Sequence, residues 1–185
     1  MMNTTHAAMG VTLTAPLVAL APELAPVAAL AAFVGGVFPD LDLLSGQHRR
    51  TLHFPVYYGT AGLVAGVAAL FSPSAATVGV AFFLLSAAVH CVADAAGGGL
   101  ELRPWEATDD RGVYVHPASR WVRPRRWIRY DGAPEDLVLA GVFSVPGLFL
   151  FDGTIRTLTV VGLGVSVVYV AVRKRLPGVE TKYLR

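Results

Sequence analysis

The chain has 185 residues, of which 54% are hydrophobic and only 15% charged. An ordinary soluble domain carries about a quarter charged residues, so this composition argues against one. The formal net charge of +2 gives no argument for a nucleic-acid partner, and a single cysteine, Cys91, excludes an intramolecular disulfide. With the apolar residues in long runs and a mean hydropathy of +0.55, the expectation is an all-α, polytopic membrane helical bundle. Residues 1–185 would form a single integral membrane domain.

Six apolar segments follow in chain order, at 6–21, 24–38, 54–71, 75–96, 137–151 and 155–172. A full crossing needs about 20 residues, so the shorter segments are expected to tilt or to penetrate part-way. Pro16, Pro22 and Pro26 interrupt the first two. No Lys or Arg precedes the first apolar run, and apolar character resumes at Leu24, which argues against a cleaved signal peptide.

Numbering the loops on a six-segment reading sorts the charge by side. Arg49 and Arg50 lie in the second loop, seven Arg lie in the fourth, and Arg173, Lys174, Arg175, Lys182 and Arg185 lie in the tail. Only Arg156 lies opposite. The positive-inside tendency then predicts a multi-pass protein of the cell membrane with both termini in the cytoplasm.

The same topology brings His6, Asp40, Asp42, His48, His53, His90 and Asp94 to one side. Ionisable groups beside hydrocarbon are costly unless they bind something, and imidazole with carboxylate is a zinc-like ligand set. His90 and Asp94 are four residues apart on a helical segment, which stacks them on one face as a chelate requires. Cys91 is rotated by roughly 100° from His90 and reads as a core residue. Pro39-Asp40-Leu41-Asp42 ends an apolar run with two carboxylates. In an extended segment these would point the same way and bridge two cations; at a helix start one would be a cap. His48-Arg49-Arg50-Thr51-Leu52-His53 places two imidazoles around a basic pair, and an arginine near a metal suits a phosphate substrate. The alternative for these arginines is a plain basic juxtamembrane loop. His6 follows Asn3, Thr4 and Thr5, which could cap the first segment.

In combined order and spacing, His6, Pro39-Asp40-Leu41-Asp42, His48-Arg49 through His53, and His90 through Asp94 with Gly97 and Pro104 resemble the YdjM-like family of membrane-bound metal-dependent hydrolases. The likeness covers roughly residues 1–106. That family is considered distantly similar to zinc-dependent phospholipase C and P1-type nucleases. The resemblance implies a helical fold and metal-dependent hydrolysis of a phosphoester at the membrane face. Arg50 and Leu52 replace the family's usual Gly and Thr, and Phe54 replaces a small hydroxyl residue.

Residues 97–135 hold all three Trp, seven Arg and His116. Alternating Trp and Arg suits a cytoplasmic interfacial loop against lipid headgroups, better than single-stranded nucleic acid given its place between apolar segments. Arg120, Arg123, Arg125 and Arg126 are the expected headgroup or substrate contacts, and His116 is an extra imidazole with no defined partner.

Two functions are expected from these residues. The first is a metal-dependent hydrolase of a phosphorylated lipid or other amphipathic substrate. One or two divalent ions, zinc foremost, would be held by His6, Asp40, Asp42, His48, His53, His90 and Asp94. Asp42 would bridge or act as general base, and Arg49 would stabilise charge in the transition state. The second is a non-catalytic membrane protein whose metal is structural or transported.

Overall fold

The computed structural model describes residues 1–177, so the expectation placed on Lys182 and Arg185 lies outside the described residues. Every apolar segment read from the sequence coincides with helix. Pro16 and Pro22 break the first into α1 (Asn3–Leu13) and a single turn, α2 (Leu17–Leu20). Next comes α3 (Ala25–Val37), running directly into a 3-10 helix at Phe38–Leu43. Proline at the first turn opens α4 (Pro55–Phe71), where the absent N–H costs nothing. A reciprocal Ser74–Thr77 capping box opens α5 (Ala75–Asp94). The last two are α6 (Pro134–Phe149), with Pro146 inside it, and α7 (Gly153–Val172).

Three of these helices are long and apolar enough to cross a membrane: Ala25–Leu43, Ala75–Asp94 and Gly153–Arg175. The other segments give shorter helices: α4 is apolar but has 17 residues, α6 has 16 and α1 has 11. Against the expected six crossings, three helices of spanning length are present among the described residues, packed with shorter ones.

Packing follows membrane rules. Ala28, Ala29, Ala32 and Ala87 are fully buried, while Leu63, Leu70, Phe71 and Phe149 face outward. Small residues let helix backbones approach where lipid gives no hydrophobic drive to bury large ones. At Gly35 a side chain would collide with the Phe83 carbonyl of α5, and at Gly36 with the His6–Ala7 backbone of α1. Ser86 Oγ donates to the Ala32 carbonyl at 2.6 Å, tying α5 to α3. Val80 and Val92 of α5 and Val160, Val161, Val165 and Val168 of α7 also face outward, and large apolar side chains exposed on helices of spanning length associate the molecule with a membrane.

One end of the bundle gathers the N-termini of α1, α4 and α6 and the C-termini of α3, α5 and α7. Buried Asp136 at the start of α6 ties this end together. It accepts from the Met2 amide at 2.7 Å, the Thr5 hydroxyl at 2.7 Å and the Gly132 amide at 3.0 Å. The connection between α5 and α6 folds back over the same end, with the Arg125, Arg126 and Ile128 amides donating to the Ala95, Gly97 and Ala96 carbonyls. It also contains β-structure that an all-α expectation lacks. Here β1 (Val113–Val115) pairs antiparallel with β2 (Arg120–Val122), in a register that sets Tyr114 opposite Trp121.

Candidate metal centre

Three elements meet at the centre. The 3-10 helix ending α3 supplies Asp40 and Asp42, the turn before α4 supplies His48, Arg49 and His53, and the last turn of α5 supplies His90 and Asp94. A 3-10 helix stands where the sequence left open an extended segment or a helix start for Asp40-Leu41-Asp42. At about 3 residues per turn, alternate residues splay apart, so the two carboxylates serve different partners.

Asp40, His53, His90 and Asp94 each offer one ligand atom, and these four atoms lie within 4.8 Å of one another. His53 Nε2 stands 3.6 Å from Asp40 Oδ1 and 3.3 Å from Asp94 Oδ2. For His90 Nε2 the corresponding separations are 3.2 and 3.5 Å. Ligand bonds of about 2.1 Å in a tetrahedron place neighbouring ligand atoms about 3.4 Å apart. These four edges of the group therefore bracket the spacing a zinc-like cation requires.

The second nitrogen of each ring explains its direction. His90 Nδ1 meets the Gly36 carbonyl at 2.6 Å, and His53 Nδ1 meets Asp42 Oδ2 at 2.9 Å. A carbonyl or carboxylate accepts only from N–H, so both protons are drawn to Nδ1 and both Nε2 lone pairs point into the group. Both Nε2 atoms are buried without a hydrogen-bond partner. Two inward lone pairs facing two carboxylates fit a cation.

The other residues expected as ligands surround this group. Asp42 is buried, and its Oδ1 accepts from His48 Nδ1 at 2.8 Å, so it holds two imidazoles at once. Asp42, His48 and His53 form a second metal-competent trio within 4.8 Å, sharing His53 with the first group. His6 lies behind Asp94, with Nε2 3.1 Å from Oδ1, the oxygen turned away from the imidazoles of His53 and His90, and its ring stacks on His90 at 3.8 Å. The Met1 amine is 3.1 Å from the same oxygen. Arg49 is buried, and its backbone φ of 61° is uncommon for a residue with a side chain. Its Nη1 donates to the Gly98 carbonyl at 2.6 Å and its Nε is 3.4 Å from Asp94 Oδ2. Burial lowers the pKa of His53, but the Asp42 and Asp94 carboxylates outweigh that and raise it. Negative charge here favours any cation, proton or metal.

Cys91 is buried outside both groups, and His116 packs instead among Phe54, Tyr57 and Tyr114. Partial burial, then the nearby Arg50 charge, lowers its pKa. Arg123, Arg125 and Arg126 line an open cavity of about 500 Å³ with Asp110. Arg123 is paired with Asp110, and Arg126 donates to the Asp109 carbonyl at 2.8 Å. Arg120 and Arg125 are exposed, and neither side chain meets a carboxylate among the described residues.

A cavity of about 410 Å³ reaches Asp40, His48 and Arg49 from outside. Its far wall carries Tyr169 and Arg173 of the α7 end, both bonded to Asp131, with Arg173 Nε at 2.8 Å. Asp131 and the buried Asp136 carry only the signal of a carboxylate shortly before the apolar segment that begins at residue 137, and Tyr169, inside the last apolar segment, carries none. Comparison with protein-family models, curated proteins and solved structures gave no match.

Proposed function

We propose that the protein is a membrane-bound, metal-dependent hydrolase acting on a phosphoester of a lipid or other amphipathic substrate. The carrying observation is the pair of buried, unpartnered Nε2 atoms of His53 and His90 facing Asp40 and Asp94. A divalent cation, zinc foremost, would be held by Asp40, His53, His90 and Asp94. When bound, it supplies Lewis acidity toward a phosphoryl oxygen. Asp42 keeps the His48 and His53 rings in register, so its role is positioning rather than the bridging or base role expected from sequence. His48, tied to Asp42 through Nδ1, stands at the cavity wall beside Asp40, where its other nitrogen can meet a substrate oxygen. Arg49 sits beside Asp94 and lines the same cavity, placing fixed positive charge near an incoming phosphate. The motif likeness to the YdjM-like family supports the same reading.

The site faces the cytoplasm in this proposal. Arg49, Arg50, Arg173, Lys174 and Arg175 gather at its end of the bundle, and Arg156 lies near the start of α7 at the other.

A second reading is a structural metal, favoured by the burial of His53, His90 and Asp94. Closed four-ligand sites are typically structural, whereas catalytic ones keep an open position. Asp40, less buried than the other three and lining the cavity, favours the catalytic reading. Phosphoester turnover by purified protein, measured across a lipid panel with chelator and with zinc restored, tests the two. The hydrolase reading expects turnover lost on chelation and regained with zinc while helical circular dichroism persists. No turnover with metal bound, together with unfolding on chelation, would assign the metal to structure.

A further inference from the structure

A second cavity, of about 170 Å³, continues inward from the first. The outer cavity is walled by Asp40, His48 and Arg49; the inner one runs between α1, α3, α6 and α7 past Val11, Phe33, Leu158 and Leu163. Asn3 and Thr4 line both, so the two spaces adjoin along one face of α1. Along this path the walls change from carboxylate, imidazole and guanidinium to methyl and phenyl groups. Two polar features mark the junction. Thr4 Oγ1 is hydrogen-bonded to Ser166 Oγ at 2.7 Å, and Asn3 Oδ1 is buried with no hydrogen-bond partner. A buried amide oxygen without a donor is rare and calls for an explanation such as a ligand.

We propose that this paired space binds a single-chain glycerol phosphate: an amphiphile with one alkyl chain, a free hydroxyl and a terminal phosphate. The phosphate lies in the outer cavity near Arg49. The hydroxyl donates to Asn3 Oδ1. The alkyl chain occupies the inner cavity, which is smaller than the roughly 300 Å³ at which ordinary ligand pockets begin and so admits one chain rather than two. The proposal rests on the hydrolase reading only for the fate of the phosphate; binding of the chain stands apart from turnover.

The test uses a non-hydrolysable probe, a single-chain alkyl-ether glycerol phosphonate with a diazirine at the chain end. Full-length protein in neutral-lipid nanodiscs is irradiated with the probe and the labelled residues are mapped by mass spectrometry. Labelling is expected on the inner-cavity residues of α1, α3 and α7. It should fall at least tenfold with excess unlabelled probe, but not with butylphosphonate. Gly162→Leu fills the inner cavity from α7, where an added Cβ would meet no atom within 4 Å, and Ser144→Leu fills it from α6. Each should abolish chain labelling while leaving the thermal unfolding of the bundle in place. Labelling spread over the outward faces of α4 and α5, or undiminished by both plugs, would overturn the proposal. His90→Ala separates the two claims. In that variant turnover should fall while inner-cavity labelling persists. In the wild type, inner-cavity labelling without turnover on zinc loading would reject the hydrolase reading alone, and turnover without inner-cavity labelling would reject the chain site alone.

Discussion

At the scale of residues, the centre depends on which ring nitrogen each histidine presents. Asp42 bonds His53 through Nδ1, and removing it frees that ring without removing a ligand. Loss of such supporting partners typically weakens metal binding by about 10–100-fold. Asp42→Ala should therefore bind metal that much more weakly in competition with a chelating dye, yet still fill at high metal; unchanged affinity would remove Asp42 from its positioning role. The His90–Asp94 pairing was readable in the sequence because the helix period dictates it. The different duties of Asp40 and Asp42 were not, since extended backbone would align them and the observed 3-10 turn splays them. Nor could spacing place His6 behind Asp94 or His48 beside Asp42, because those positions follow from how α1 and the turn before α4 pack.

Among the elements, α1, α3 and α5 are held at backbone contact by glycine and alanine. Gly35→Ala would press a methyl against the Phe83 carbonyl. Overpacking of this kind costs about 1–3 kcal/mol, so the variant should unfold earlier in a detergent titration. Wild-type resistance would mean that α3 and α5 can separate freely. Asp136→Ala removes the acceptor shared by Met2, Thr5 and Gly132. A buried group left unsatisfied costs roughly 1–3 kcal/mol, so this variant should lose stability by at least that much, seen in the same titration. Apolar runs and prolines made the long α-helices legible, including the break after α1, but not the 3-10 turns. The hairpin was not legible, because strands of three residues carry too little alternation to distinguish them from loop.

For the whole molecule, charge and apolar surface set how it sits in a membrane. Arg120 and Arg125 are exposed and unpaired among the described residues, whereas Arg123 is matched by Asp110. Each juxtamembrane cation contributes about 1 kcal/mol toward anionic lipid. Exchanging Arg120 and Arg125 together for Gln should weaken binding to anionic nanodiscs or vesicles more than Arg123→Gln does, and salt should shrink the difference. Equal effects would mean that Asp110 does not neutralise Arg123 at the surface. Single cysteines at positions 50 and 175, with Cys91 replaced, should be protected from impermeant reagents added outside intact cells; labelling from outside would reverse the orientation proposed. The central claim is that Asp40, His53, His90 and Asp94 hold a divalent cation, and elemental analysis of purified protein tests it most directly. About one bound divalent ion per chain is expected, with His90→Ala and Asp40→Ala each losing it. Full metal content in both variants, or none in the wild type after exposure to zinc, would contradict it.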